Sequence, residues 1–492
     1  MARAGRWTLP ILVGIALAGM PAVPVGAAPS SAQKAIVRLV NTSQHPDWYS
    51  PWQSPAPFSV SGSGFVIAEG RILTNAHVVS DSRDLVLYLD GDSTPYPARI
   101  VAIGHECDLA LVEPVDPGLL RKVKPLELGD LPVVGDSLET LGYPVGGERI
   151  SMTRGVVSRI EVQEYMHTAL FRHLVIQTDS AINPGNSGGP VLRDGKVVGV
   201  AFQVAGALQG VGYVIPNPVV RHFLEDLEDG RYDGFASMGI RLVSMQNPAT
   251  GRFLRVPANL QGAWIDKVNP GSSADGLLRP GDVLLHVGDA AIDRAGKAVV
   301  RGETHDLFRV LDGYQVGRGL PVRVFRDGGV REIEIPLKAD PEMVRFTHQW
   351  DRMPSYYVVG GLVFVELDVE MLKTFGSDWF ENADRALLWT ALYEPFSDPA
   401  LYRRHRVILL RRLDHPVTVR MAWYRNVVVD RVNGREVREI RDVVEAFESN
   451  RDRFHVLEYL HQGRLGVLDR EAADRANAEI LERYGIPEDR RL

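Results

Sequence analysis

The 492-residue sequence contains a single cysteine, Cys107, so no disulfide can form within the chain. We expect Cys107 to be a small buried residue. A metal site built on Cys107 and the nearby His105 is the alternative, but one cysteine and one histidine are too few ligands for a typical zinc site. We also find no nucleotide-binding glycine loop, and we therefore predict neither a metal nor another cofactor.

A strong charge of one sign is absent as well. The formal net charge is -7 and the isoelectric point is near 6.0, which argues against nucleic acid as a partner. The one basic cluster, residues 403–406, is short and is interpreted as a solvated face. With 45% hydrophobic and 24% charged residues, the chain can bury several cores, and its length predicts about three domains.

Long hydrophobic runs are absent beyond the N-terminus. Arg3 and Arg6 precede an apolar stretch over residues 9–20, which small residues and prolines follow. This pattern predicts a secretory signal peptide over residues 1–28 and an exported protein, most simply in a bacterial periplasm. A retained N-terminal anchor is the alternative, although the apolar core is short for a membrane-spanning helix.

What the chain does contain is a tight, glycine-flanked turn around one serine. Residues 183–190 read Asn-Pro-Gly-Asn-Ser-Gly-Gly-Pro, with Ser187 in the middle. Upstream, His77 lies within Thr-Asn-Ala-His-Val-Val, and Asp108 precedes the apolar run Leu-Ala-Leu. Each alone has a structural interpretation, as a surface loop, a buried histidine or a strand-end aspartate. Together they follow the order His, Asp, Ser of chymotrypsin-like proteases, which predicts a serine protease.

The chemistry assigns a role to each residue of this set. Ser187 would attack the scissile carbonyl, His77 would take and return its proton, and Asp108 would orient His77 and stabilise its imidazolium. The backbone amides of Gly185 and Ser187, with Asn186 as a further candidate, are predicted to form the oxyanion hole.

The strand pattern predicts a mainly β fold. Between residues 36 and 225, short β-branched runs alternate with Gly, Pro and Asp turns. Together with the chemistry, this favours a chymotrypsin-like double β-barrel over residues 29–225, built from two six-stranded barrels. His77 and Asp108 are expected on the first barrel and Ser187 on the second. A polar, glycine-containing linker follows over residues 226–236.

Four segments carry a family resemblance: residues 61–67, 74–79, 108–111 and 177–190. They are similar to the signatures of the Deg/HtrA (DegP-like) serine proteases. The aromatic stretch 46–52 and the later segment 356–367 resemble a plant-type Deg subgroup that carries a divergent second PDZ domain. The resemblance implies two PDZ-like α+β domains after the barrels. It also implies a homotrimer or a multiple of trimers, with stretch 46–52 as a candidate subunit contact.

Substrate preference follows partly from the residues before the serine. An acidic residue six positions before Ser187 would select basic substrates, but this position is Ala181. By resemblance to the family, Ile182, Val204 and Ala205 would line the primary pocket with it. We therefore expect cleavage after small to medium aliphatic residues.

Activation follows from the residue beside the nucleophile. Asn186 stands where trypsin-like zymogens use an aspartate to pair with a new N-terminus, so that route is not expected. A rearrangement of loops around the oxyanion hole, including residues 143–148, fits the family better.

Residues 237–340 resemble a Deg-type PDZ domain, with a generic small β domain as the alternative. Met238, Gly239 and Ile240 match the loop that holds the carboxylate of a peptide C-terminus, while the peptide adds to a sheet edge. Such a domain would take C-terminal peptides as partners.

Residues 355–470 resemble a divergent second PDZ-like domain. A helical, aromatic-rich insertion over residues 370–410 departs from the common PDZ pattern. We expect this insertion either to cover the first PDZ domain or to contact another subunit. Residues 471–492 are predicted to form a C-terminal helix and tail.

Two classes of function follow. The first is an ATP-independent serine endopeptidase of protein quality control, which would hydrolyse misfolded or damaged exported proteins. The second is a PDZ-based peptide-binding or chaperone protein with gated or residual protease activity. The complete set of three catalytic residues favours the first class.

Overall fold

The structure, a computed structural model, describes residues 32–492 except residues 69, 205–210, 420, 422–424 and 461–464. The side chains of Gln203, Val204 and Pro341 are not described either. The signal peptide predicted over residues 1–28 thus lies outside the described residues. No helix within the described part of the chain has the length and apolarity to cross a membrane.

Six antiparallel strands close the first barrel in the order β1-β2-β3-β6-β5-β4. Pairing places Phe65 opposite both Ile36 and Leu73, and all three side chains are fully buried inside the barrel. A one-turn helix, α1 (Ala76–Val79), follows the third strand. The strands are β1 (Ile36–Ser43), β2 (Phe58–Ala68), β3 (Arg71–Thr74), β4 (Ser82–Leu89), β5 (Tyr96–Gly104) and β6 (Leu109–Pro114).

The second barrel closes in the order β10-β11-β12-β9-β8-β7, so the predicted double β-barrel is confirmed. Helix α2 (Asn217–Asp226) follows it and buries Val219, Val220 and Phe223. The strands are β7 (Ser137–Gly142), β8 (Ser151–Glu164), β9 (Arg172–Thr178), β10 (Pro190–Arg193), β11 (Lys196–Val204) and β12 (Gly212–Pro216).

A third unit follows, which we call the middle unit (residues 237–340), and β13 is an edge strand of its sheet. It packs on the second barrel, where His173 Nδ1 lies 2.9 Å from Asp312 Oδ1 and both side chains are buried. Its elements are β13 (Ile240–Val243), α3 (Pro248–Phe253), β14 (Ala263–Val268), β15 (Val283–Val287), β16 (Ala290–Ile292), β17 (Ala298–Val300), β18 (Glu303–His305), α4 (Phe308–Leu311), β19 (Gly319–Arg326) and β20 (Gly329–Pro336).

The last unit (residues 356–491) forms an eight-stranded sheet with helices around it. Its elements are β21 (Tyr356–Val359), β22 (Leu362–Glu366), α5 (Val369–Lys373), α6 (Trp379–Asn382), α7 (Arg385–Leu392), α8 (Glu394–Ser397), β23 (Val407–Arg412), β24 (Val427–Val432), β25 (Arg435–Glu436), α9 (Ile440–Ser449), β26 (Phe454–Tyr459), β27 (Leu465–Asp469), α10 (Arg470–Arg483) and β28 (Arg490–Arg491).

The C-terminal segment belongs to this last unit. Strand β28 pairs with β21, and α10 buries Ala476 and Ile480 in the same core as β21 and β22. The helix predicted within residues 471–492 is present as α10, and the short strand at Arg490–Arg491 ties the predicted tail into the sheet.

The sheet of the last unit has no free edge at β22. Strand β22 hydrogen-bonds to β21 on one side and to β23 on the other, and β21 also packs against α9. Gly360 and Gly361, both at positive φ, make the tight turn that folds β21 back onto β22. An extended peptide therefore cannot pair with β22, whereas β13 of the middle unit is an edge strand.

The helical insertion, α5 to α8, lies partly against the middle unit. After α8, the Tyr402 hydroxyl donates to Asp340 Oδ2 (2.6 Å) and accepts from Asn269 Nδ2 (3.5 Å). Of the two alternatives for the insertion, contact with the middle unit is the one present within a single chain.

The aromatic stretch 46–52 packs inside the chain. Arg411 of β23 donates to Ser50 Oγ (2.9 Å) and lies over the Tyr49 ring, while Trp52 meets the edge of Tyr356. Within one chain this stretch joins the first barrel to the last unit. Its role in a subunit contact stays a prediction.

Candidate active site

Strand pairing brings His77 and Asp108 together. Because β3 pairs with β6, α1 after β3 and the residue before β6 lie side by side. His77 Nδ1 is 2.7 Å from Asp108 Oδ2, and the His77 amide donates to Asp108 Oδ1 (2.9 Å). Asn75 Nδ2 donates to the Asp108 carbonyl (2.9 Å), which supports the positive φ of Asp108. Two residues of the Thr-Asn-Ala-His segment thus orient Asp108 toward His77: Asn75 holds its backbone carbonyl, and the His77 amide holds its carboxylate.

The pair is electrostatically coupled. Burial opposes the charged imidazolium, but the charge and hydrogen bond of Asp108 outweigh it and raise the pKa of His77. Burial also opposes a charged carboxylate, yet the facing His77 holds the pKa of Asp108 below its ordinary value. Asp108 is 2% exposed, whereas the His77 side chain is 31% exposed and can reach a substrate.

The turn around Ser187 leaves two backbone amides free. Asn186 N donates to Asn183 O (2.9 Å) and closes a turn with Gly185 at a φ of +96°. Among the described residues, neither the Gly185 amide nor the Ser187 amide donates a hydrogen bond to the chain. An oxyanion hole requires such free amide donors. The Asn186 amide, also predicted there, is instead used to close the turn.

Ser63 joins this turn to the first barrel. Its amide donates to Ser187 O (2.8 Å), and its hydroxyl donates to Gly185 O (2.7 Å) and accepts from the Tyr143 amide (2.8 Å). Ser63 lies in segment 61–67, which resembles the family, but the sequence predicts no role for it. The only sequence signal is a serine between two glycines, Gly62 and Gly64.

Ser187 lies on the second barrel, across from the histidine–aspartate pair. Its Oγ donates to Phe202 O (3.3 Å), and in the described part of the chain it makes no hydrogen bond with His77. The structure therefore joins two of the three predicted catalytic residues directly. For the third contact the Ser187 hydroxyl must donate to His77 in place of Phe202 O, and such contacts are often loose without substrate.

The predicted primary pocket is described in part. Ile182 is 4% exposed, and a Cβ added at Gly212 would lie 2.8 Å from its Cδ1. Ala181 is exposed, and its carbonyl accepts from Thr153 Oγ1 (2.9 Å). The backbone of Val204 pairs with Gly212, but its side chain is not described, and Ala205 lies outside the described residues.

The predicted carboxylate loop lines a groove of about 520 Å³ on the middle unit. Met238 is buried, Gly239 has a φ of +67°, and Ile240 begins the edge strand β13. A side chain at Gly239 would clash with Ser272. Phe171, which directly precedes β9 of the second barrel, also lines the groove, so an occupant would touch the protease barrels as well.

Two family models match parts of this chain and show which class of protein it is. Residues 62–200 match the family model of a trypsin-like peptidase domain, and residues 344–491 match that of a PDZ domain. The double barrel and these matches define a serine endopeptidase of the trypsin-like class that carries a PDZ domain.

Proteins of similar sequence show the family to which this chain belongs. The chain is 35% identical over 467 residues to Protease Do-like 2, chloroplastic, of Arabidopsis thaliana, covering 94% of this chain and 75% of that protein. It is 34% identical over 460 residues to Protease Do-like 4, mitochondrial, of the same plant, covering 93% and 84%. The chain belongs to the Deg/HtrA family of Do-like serine proteases.

A solved structure agrees on the fold. A variant of the HtrA-type protease AlgW with a decapeptide is 24% identical, with a TM-score of 0.50, and the match covers 63% of this chain and 96% of that chain. At this identity the likeness shows the fold alone.

Asp108→Asn is expected to lower kcat by about 10⁴-fold, because asparagine cannot stabilise the His77 imidazolium.

His77 must be neutral to act as a base, and its pKa is raised, so wild-type kcat/KM should fall as the pH decreases, with a midpoint above 6.5. The variant's residual activity should show a lower midpoint. Steady-state pH profiles measure both, and an unchanged midpoint would contradict the coupling.

Ser63→Ala is expected to reduce kcat by up to about 10²-fold, because Gly185 O loses its donor and the oxyanion amides shift. The variant should also unfold at a lower temperature, because the buried Gly185 O and Tyr143 amide each lose a partner, so kcat is compared where this variant and its control are fully folded. Ser61→Ala, a half-buried serine on the same strand, is the matched control. Equal kcat values for the two variants would show that the Ser63 hydroxyl does not position the turn.

Proposed function

We propose that this protein is an ATP-independent endopeptidase that hydrolyses misfolded or damaged exported proteins after small or medium aliphatic residues. The observation that carries the proposal is the juxtaposition of a bonded His77–Asp108 pair with a serine turn whose amides, at Gly185 and Ser187, are free. Export rests on the N-terminal sequence pattern, and quality control rests on the family.

The proposed reaction proceeds through an acyl-enzyme. Ser187 Oγ turns from Phe202 O toward His77, gives up its proton to that imidazole and attacks the scissile carbonyl. The Gly185 and Ser187 amides stabilise the oxyanion, and His77 then protonates the leaving amine. Water, deprotonated by His77, hydrolyses the acyl-enzyme. Asp108 stays ionised throughout and stabilises the imidazolium.

The aliphatic preference is supported by what surrounds the pocket. Ala181 offers no charge to a basic side chain, and buried Ile182 lies beside Gly212, where it limits the depth available. An apolar pocket of limited depth accepts valine or alanine and resists large rings.

The middle unit is proposed to act as the peptide-binding PDZ domain. Its edge strand β13 is open, and its groove lies beside the loop formed by Met238, Gly239 and Ile240. The last unit is proposed to be the divergent PDZ domain of the plant-type subgroup, and its strand β22 is paired on both sides and is not an open edge. Assembly as a trimer or a multiple of trimers stays a prediction from the family.

A gated protease is the second candidate, and one observation favours it. Ser187 Oγ is bonded to Phe202 O and not to His77, so hydrolysis requires a change at the nucleophile. In that case the protein would bind peptides and cleave them only after the serine turns.

Casein digestion by the wild type and by Ser187→Ala separates the two. The proposal predicts ATP-independent digestion by the wild type and loss of digestion in the variant, by roughly 10⁶-fold in kcat. Equal digestion by the two proteins would refute proteolysis by Ser187. Peptide binding without wild-type digestion would favour the gated form.

Ile182→Ala is expected to deepen the primary pocket. In a peptide-library digest, the ratio of kcat/KM for leucine or phenylalanine against valine should rise about tenfold, since added apolar volume changes discrimination by that order. Val134→Ala, at an exposed valine outside the pocket, is the control and should leave the ratio unchanged. A preference that does not move would remove Ile182 from the pocket.

A further inference from the structure

The segment that joins the middle unit to the last unit crosses the protease barrels. We call residues 347–352 the strap. Its His348 amide donates to Thr168 O (3.0 Å), and the Trp350 indole donates to His167 O (2.9 Å). Thr168 and His167 belong to the loop between β8 and β9 of the second barrel, so the strap is bonded to that loop twice.

The strap is also fixed to the first barrel. The amides of Asp81 and Asp351 each donate to the other residue's Oδ1 at 2.7 Å, a reciprocal pair. His45 Nδ1 is 2.5 Å from Asp81 Oδ2, and His105 Nε2 is 3.1 Å from Asp351 Oδ2. The strap therefore bridges the two barrels close to the histidine–aspartate pair.

The strap's other face is held by the last unit. The Gln349 amide donates to Glu370 Oε1 (3.0 Å), and its side chain donates to Asp368 Oδ2 (2.8 Å). Asp368 is the N-cap of α5 and is 7% exposed. These hydrogen bonds would therefore transmit a movement of the last unit to the strap.

His167 connects the strap to catalysis. Its ring stacks on Trp350 (4.8 Å between centroids, 13° between planes) and lies 6.2 Å from the ring of His77. His167 Nε2 is 3.0 Å from His105 Nδ1. The His167 side chain is buried, and burial lowers its pKa to about 3, so it is a neutral ring at physiological pH. It packs beside the catalytic histidine without adding a competing charge.

We propose that Trp350 is a positioning residue for hydrolysis, because its ring holds His167 against the His77–Asp108 pair. The docked strap keeps water from one side of that pair and keeps the His77 ring in place, while the exposed side of His77 faces substrate. The reaction rate then depends on the strap, which lies outside the barrels and is hydrogen-bonded to the last unit. The inference rests on the serine endopeptidase activity.

The test uses the full-length chain and a short fluorogenic peptide with valine at the cleavage site. Trp350→Ala and His167→Ala should each lower kcat by about tenfold or more, with KM changed by less than about threefold. Because Trp350 acts through His167, the double variant should be no slower than the slower single variant. Trp350→Leu, which fills much of the space without a ring, should lose kcat as Trp350→Ala does, and it serves if the alanine variant fails to fold.

Trp389→Ala is the matched control. Trp389 is half-exposed on α7 and stacks only on Tyr393 among the ring contacts of the described residues, so its loss should leave kcat unchanged. The positioning role is overturned if Trp350→Leu and Trp389→Ala have equal kcat, or if the losses at Trp350 and His167 multiply. Either result, with hydrolysis still abolished by Ser187→Ala, would leave proteolysis by this chain intact.

Discussion

The hydrogen bonds of Ser63 join the two barrels at the point where the chemistry is organised. Each barrel alone holds part of the site: the first carries the histidine–aspartate pair and the second carries the nucleophile turn. The Ser63 amide donates a hydrogen bond to Ser187 O, and the Ser63 hydroxyl donates one to Gly185 O. With these carbonyls held, the neighbouring amides are left free for an oxyanion. Gly188 supports this approach, since any side chain there would clash with Ser63 O and Thr74 Oγ1.

Charge near the catalytic pair is kept low. Asp108 is buried and has His77 as its main ionic partner, and the adjoining His167 is neutral because burial lowers its pKa to about 3. Cys107 is fully buried beside the pair, and burial raises the pKa of its thiol well above the ordinary value. Because Asp108 is buried in a region of low effective dielectric, its carboxylate acts strongly on His77.

Features that reside in short stretches of sequence could be predicted, and the double barrel among them is confirmed. The serine turn, the Thr-Asn-Ala-His segment and the strand pattern predict the double barrel and the three catalytic residues. Ser63 and Trp350 could not be assigned in this way, because their partners lie 122 and 183 residues away and no local pattern marks such contacts. The partner of the aromatic stretch 46–52 could not be predicted either. Its apolar character indicates a contact, but only the tertiary fold places Trp52 on Tyr356.

The free amides of Gly185 and Ser187, in the turn held by Ser63, are expected to receive the developing oxyanion. A crystal structure of the protein with a peptidyl boronate that ends in valine tests it most directly. We predict a tetrahedral adduct on Ser187 Oγ, with one boronate oxygen about 2.7–3.1 Å from both amides and Gly185 still at positive φ. An adduct whose oxygens avoid these amides, or a Gly185 turn that has flipped away from Ser63, would contradict the account.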